Sequence, residues 1–200
     1  MIVYVESNFI LELAYLQEDH ENCGRILKLA EAGKIQLIVP VFAIAEPFSA
    51  WVGRKRRRKE VHENLTKELR ELGRSKPYAD SQEEFLEITT VLLVSGEDEK
   101  LRLDAAIERV LAAAALIPIE ANTVRSAIEI QKSRSLEPQD SIVYASLLSD
   151  LPSREGEPRC FVTKNSKDFA NPDIIQDLAG HRCELFTDFG AAYGFILKHL

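Results

Sequence analysis

Four carboxylates stand where the sequence predicts that elements begin or end. Glu6 closes the apolar run Ile2, Val3, Tyr4, Val5; Glu46 precedes Pro47 near a helix start; Asp140 lies in a first helical turn opened by Pro138; Asp168 follows the apolar run 160–163 by a short turn. Carboxylate oxygens are hard donors, and several that converge suit a cation such as Mg²⁺ or Mn²⁺. Ligands of open α/β sheets gather beyond the carboxyl ends of strands, where Glu6 would sit. Singly, these acids have plain structural uses. Glu6 could be the first solvated residue of a loop, and Asp140 could simply favour the dipole of its own helix. With 32 acids in 200 residues some coincidence of placement is expected, so the set of four, not any member, marks a site.

The elements that must position these acids alternate. Residues 2–5 form a continuous apolar run, as in a strand buried on both faces. Phe9, Ile10, Leu13, Ala14 and Leu16 recur at helical spacing, and a second helix from about Asp19 carries Ile26, Leu27 and Ala30 before Gly33 ends it. Residues 35–39 read as a second buried strand. A long helical region, 41–72, contains Glu46 and Pro47, the proline either opening a helix or bending it. Ser81 and Glu84 have capping-box spacing for a helix to about 94, and 97–115 continues as another helix ending before Ile117 and Pro118. Beyond lie an amphipathic helix over 120–132, a helix from Pro138 carrying Ile142, Val143, Ala145 and Leu147, a polar loop over 153–158 and a strand over 160–163. A short helix from Asn171-Pro172, a strand over 183–186 and a C-terminal helix capped by Thr187 complete the chain. Strands separated by helices predict an α/β protein of three α/β/α layers, with a mainly parallel sheet of about four to five strands. Residues of about 54–115 add an extended helical arm to a single domain.

Composition excludes several classes. An apolar content of 46% supports a substantial core, and no run of about 18 apolar residues reads as a membrane span. The N-terminus enters a strand without a signal sequence, so a soluble, cytoplasmic protein is expected. Cys23, Cys160 and Cys183 lack CxxC spacing and the four histidines are scattered, which gives no support to zinc, disulfides or thiol and histidine catalysis. No GxGxxG follows the first strand and no GxxxxGK[ST] occurs. The net charge of −7 is unlike that of a general nucleic-acid coat protein. One segment opposes it: Arg54, Lys55, Arg56, Arg57, Arg58 and Lys59 are consecutive and could hold phosphates. Six adjacent cations cannot share one helix face, so a solvated basic helix is the alternative.

Four segments in order resemble the PIN domain family of nucleases: IVYVESNFILELA with its strand-terminal acid, IAEPFSAW with Glu46, EPQDSIVYASLL with Asp140, and FVTKNSKDF, similar to the family's T-x-N-x-x-D-F ending. The resemblance covers roughly residues 1–50 and 120–190. It implies a metal-dependent ribonuclease, often the toxin of a toxin–antitoxin pair and often a homodimer. Glu6, Glu46, Asp140 and Asp168 are then the Mg²⁺ or Mn²⁺ ligands, Ser7, Asn8, Thr163 and Asn165 orient them, and Arg54–Lys59 hold RNA. Ser7 and Thr163 could equally serve a helix cap and a strand end. The family usually has Asp at the first position; Glu6 is one methylene longer. A catalytically inactive PIN-like module that binds RNA or protein is the alternative.

Overall fold

The computed structural model describes residues 1–154 and 156–200, with the side chains of 79–86 left aside; the capping-box side chains expected at Ser81 and Glu84, and Glu155 of the polar loop, therefore lie outside the described residues. Its centre is a parallel sheet of five strands, β1 (Ile2–Val5), β2 (Gln36–Pro40), β3 (Ala114–Ile117), β4 (Arg159–Val162) and β5 (Cys183–Phe186), in the order β3-β2-β1-β4-β5. Residues alternate between two cores as the pleat demands. Val3, Val5, Leu37, Val39, Cys160 and Val162 face one helical layer, and Ile2, Tyr4, Ile38 and Phe161 face the other. The first layer is built from α1 (Ser7–Tyr15), α2 (His20–Glu31), the inner end of α4 (Gln82–Ala113) and α9 (Phe189–Lys198); the second from α6 (Pro138–Asp150) and α8 (Pro172–Gly180), with α5 (Ala121–Arg134) packed on α6. The three-layer α/β/α expectation holds.

Strand β1 lies in the middle, with β2 on one side and β4 on the other. The chain leaves β1 toward β2 and returns later to β4, so the order reverses beside β1 and a crevice opens at the carboxyl ends of β1 and β4. The β1–β4 register pairs Val5 with Val162. Glu6 and Thr163, the next residues on each strand, therefore leave the sheet side by side.

Some expected elements differ. Ala114–Ile117 is a strand, whereas the alanine-rich segment reads as helix to 115; pairing with Leu37–Pro40 of β2 overrides its helix propensity. The two helices expected over 81–115 are one, α4. Leu16 lies past the apolar face of α1, as a left-handed cap that is 56% exposed. The last helix is capped by Asp188, whose Oδ1 accepts from the Ala191 N–H at 2.6 Å, and not by Thr187. Pro47 sits inside α3 (Val41–Leu72), which continues through it.

Helices α3 and α4 pair as an antiparallel arm, each of 32 residues and about 48 Å long at the helical rise. Along α3 itself only Ala43 and Pro47 are buried, so polar contacts fix much of the arm's register. Trp51 Nε1 donates to the Gly96 carbonyl at 2.9 Å, and Arg58 grips Glu99 with two bonds of 2.8 Å. Side-chain exposures of 23% for Arg58 and 8% for Glu99 place that pair well out of water. A double-mutant cycle of Arg58→Ala and Glu99→Ala by urea unfolding is expected to return a coupling of about 1–3 kcal/mol, above the range for exposed pairs; a value near zero would show the pair to be incidental.

Candidate active site

The site is built outward from the crevice. Glu6 is the N-cap of α1: its Oε2 accepts from the Asn8 backbone N–H and from Ser7 Oγ, both at 2.9 Å, and its Oε1 accepts from Thr163 Oγ1 at 3.0 Å. The carboxylate is thus held from both strands that flank the crevice. At 5% exposure it is buried, and burial raises its pKa while the bonds from Asn8, Ser7 and Thr163 draw it back down. Helix capping by Ser7 gives way to capping by Glu6, with Ser7 serving the carboxylate. Thr163 does two things at once, since its Oγ1 also accepts from the Asn165 backbone N–H at 2.9 Å.

Asn165 carries the link onward: its Nδ2 donates to Asp140 Oδ2 at 3.1 Å. Pro138 opens α6 and places Asp140 in its first turn, facing the same crevice. Asp140 is pushed up to about 6, first by burial, then by the negative charges of Asp168 and Glu6, with Glu46 adding a smaller push against the Asn165 bond. The other three predicted acids therefore all act on the Asp140 carboxyl group. Glu46 arrives on α3 and Asp168 on the short helix α7 (Ser166–Phe169). As placed, no three such side chains among the described residues close around a single ion. The donor set nonetheless fits a hard divalent cation. It is all oxygen, its members repel one another, and a cation among them would relieve the repulsion.

The basic run behaves differently. Six consecutive residues pass around more than one helical turn, and acids of α4 and of α3 itself meet them. Arg54 and Arg58 pair with Glu99, Lys55 with Glu97 at 2.6 Å, Arg56 with Glu60 at 3.9 Å and Lys59 with Glu63 at 3.7 Å. Arg54 also stacks on Tyr15, 3.9 Å from the ring centroid. Among the described residues Arg57 is the member of the run without an ion-pair partner. It lies eleven residues after Glu46, about three helical turns and hence on the same face. Its guanidinium folds back over Gly53, 3.7 Å from where a Cβ would stand there, toward the Glu46 end of the helix.

One cluster beside the site carries no motif of its own. Glu12 is 3% exposed on the inner face of α1. Its Oε1 accepts from Lys164 Nζ at 2.9 Å and its Oε2 from the Asp19 N–H at 2.8 Å. Lys164 also meets Asp19 at 3.0 Å and Glu18 at 3.6 Å. The signal for it was an acid among the apolar positions of FILELA.

A family profile described as PIN domain matches residues 3–169. No curated protein sequence matches. Among solved structures, VapBC2 from Rickettsia felis bound to a DNA fragment from its promoter is similar at 13% identity, over 93% of this chain and 98% of that one, with a TM-score of 0.45. Among the described residues no helix is long and apolar enough to cross a membrane.

Asp140 gives a pH signature. Its folded pKa near 6 exceeds the ordinary value of 3.8, so the folded state binds the proton more tightly and loses stability as pH rises between those values. Asp140→Asn is expected to stabilise the metal-free protein by about 1–2 kcal/mol at pH 7.5, with the gain gone at about pH 4. Thermal unfolding at the two pH values measures it; an equal gain at both would place the effect elsewhere.

Proposed function

This chain belongs to the PIN domain family, and we propose that it is a metal-dependent ribonuclease, hydrolysing RNA phosphodiester bonds at Glu6, Glu46, Asp140 and Asp168. PIN domains are generally nucleases, and the observation that carries the reading is the chain of bonds that joins Glu6 to Asp140 through Thr163 and Asn165 at the ends of β1 and β4. Mg²⁺ or Mn²⁺, held by these four carboxylates, would supply a bound water of lowered pKa and charge neutralisation on the phosphate. The chain's own residues set the geometry. Ser7, Asn8 and Thr163 fix Glu6, and the three bonds leave one of its roughly four acceptor positions open. Asn165 orients Asp140 through Oδ2, which leaves Oδ1 for a cation. The extra methylene of Glu6 suits a carboxylate that must cap its own helix and still reach Thr163.

RNA is the substrate in this reading, in single-stranded or looped form so that a phosphate can reach the recessed acids. Of the six cations, Arg57 is our main phosphate contact, with exposed Arg56 and Lys59 beside it; Arg54, Lys55 and Arg58 are engaged with α4. The setting we propose is the toxin half of a toxin–antitoxin pair in the cytoplasm, with a protein antitoxin and a second copy of the chain as partners. This part rests on the family resemblance. One observation favours a second reading, a non-catalytic module that binds RNA or protein: the Glu6 carboxylate is already served by three protein donors.

Incubation of a mixed RNA pool with Mn²⁺, Mg²⁺ or chelator separates the two. Cleavage that needs metal and falls at least about a hundredfold in Glu6→Gln and in Asp140→Asn supports the nuclease. Intact RNA with the wild type under every condition supports the binding module. Arg57→Ala is expected to weaken RNA binding and lower the salt slope by about one, whereas Arg58→Ala leaves the slope unchanged and costs stability. Equal slopes for wild type and Arg57→Ala would remove Arg57 from the contact.

A further inference from the structure

The turn after β4 carries the groups that set both Glu6 and Asp140. Thr163 bonds Glu6, Asn165 bonds Asp140, and Lys164 lies between them. Thr163 is tied to the sheet, its N–H donating to the Phe186 carbonyl at 3.0 Å. Asn165 stands at the N-terminus of α7, but its side chain does not cap that helix and goes to Asp140 instead. The backbone of the turn is held by the Asn165 N–H on Thr163 Oγ1 and by the Ser166 N–H on the Lys164 carbonyl, both at 2.9 Å, and the Lys164 side chain is what ties the turn to α1.

Lys164 reaches away from the crevice to the end of α1 and the loop that follows it. There it meets Glu12 at 2.9 Å, Asp19 at 3.0 Å and Glu18 at 3.6 Å. Glu12 and Asp19 have side-chain exposures of 4% and 14%, against 31% for Lys164 and 86% for Glu18, so the clasp is buried on the Glu12 and Asp19 side and open to water at Glu18. A buried ion pair is a weak source of net stability compared with apolar packing, but its directional bonds fix one arrangement of the groups that carry it. Here the groups are the segment following α1 and the turn 163–165. Since Glu6 caps the start of α1, the clasp closes a loop that contains both halves of the Glu6–Thr163 contact.

We propose that Lys164, clasped by Glu12 and Asp19, is a positioning residue that holds the 163–165 turn so that Thr163 and Asn165 present their bonds to Glu6 and Asp140. The inference rests on the nuclease reading for its effect on rate, and on geometry alone for its effect on the turn. The Lys164 ammonium meets Glu12, Glu18 and Asp19 and none of the four acids of the crevice. Removing the ammonium frees the turn without altering any of the four acids.

Amide hydrogen exchange of the metal-free protein, paired with RNA cleavage kinetics in Mn²⁺, tests it. In Lys164→Ala the Asn165 N–H, bonded to Thr163 Oγ1, is expected to exchange at least about tenfold faster while β1 and β4 amides keep their protection. The kcat is expected to fall about ten- to a hundredfold at unchanged KM, as loss of an orienting partner does. Lys164→Arg restores both, and Asp19→Asn, which keeps the Glu12 contact, gives a smaller change in the same direction. Unchanged Asn165 exchange overturns the proposal, as does a loss of protection spread evenly over β1 and β4, which would mark Lys164 as a stabiliser only. A wild type that cleaves no RNA would defeat the nuclease reading, and the exchange of Asn165 would still decide whether the clasp orders the turn.

Discussion

A carboxylate buried at the end of the central strand is costly unless its oxygens are met by donors, and the structure around Glu6 is arranged to meet that demand. Two donors come from the first residues of α1 and one from Thr163 across the β1–β4 junction. The last can exist only because β4 runs parallel to β1 with Val162 opposite Val5. Sheet register, the start of α1 and the turn after β4 are therefore conditions of one another. From that turn the constraint passes through Asn165 to Asp140, so one chain of bonds connects two of the acids.

The energetic character of the centre follows. Glu6 is satisfied by hydrogen bonds, whereas Asp140 has one bond against its burial and the charges of Asp168, Glu6 and Glu46, which together raise its pKa. A cation among the four carboxylates would relieve that repulsion. The arm obeys the opposite logic. Its cations meet acids on α4 at Arg54, Lys55 and Arg58 and on α3 itself at Arg56 and Lys59, with Arg58 and Glu99 as the most enclosed pair, so most of the charge there is neutralised internally. Arg57 escapes that matching by lying on the face that α3 shares with Glu46.

Much of this was legible in the sequence because the responsible signals are local. An unbroken apolar run marks β1, Pro138 marks the start of α6, and the order of the four acids with TKNSKD marks the crevice. Strand β3 was not legible. Its alanines favour helix, and only the neighbouring β2 makes them a strand. The basic run showed that it could not lie on one face, but not that acids about forty residues later would take Arg54, Lys55 and Arg58. Nothing local in the sequence marks Lys164, because its partners lie on α1 and at the start of α2, more than 140 residues earlier.

The central claim is that the four carboxylates form one cation site, and calorimetric titration of Mn²⁺ into the metal-free protein at pH 7.5 tests it most directly. Saturable uptake by the wild type, with affinity lost in Asp140→Asn and weakened in Asn165→Ala, is the predicted result. Absence of uptake, or uptake that Asp140→Asn leaves unchanged, would contradict the account.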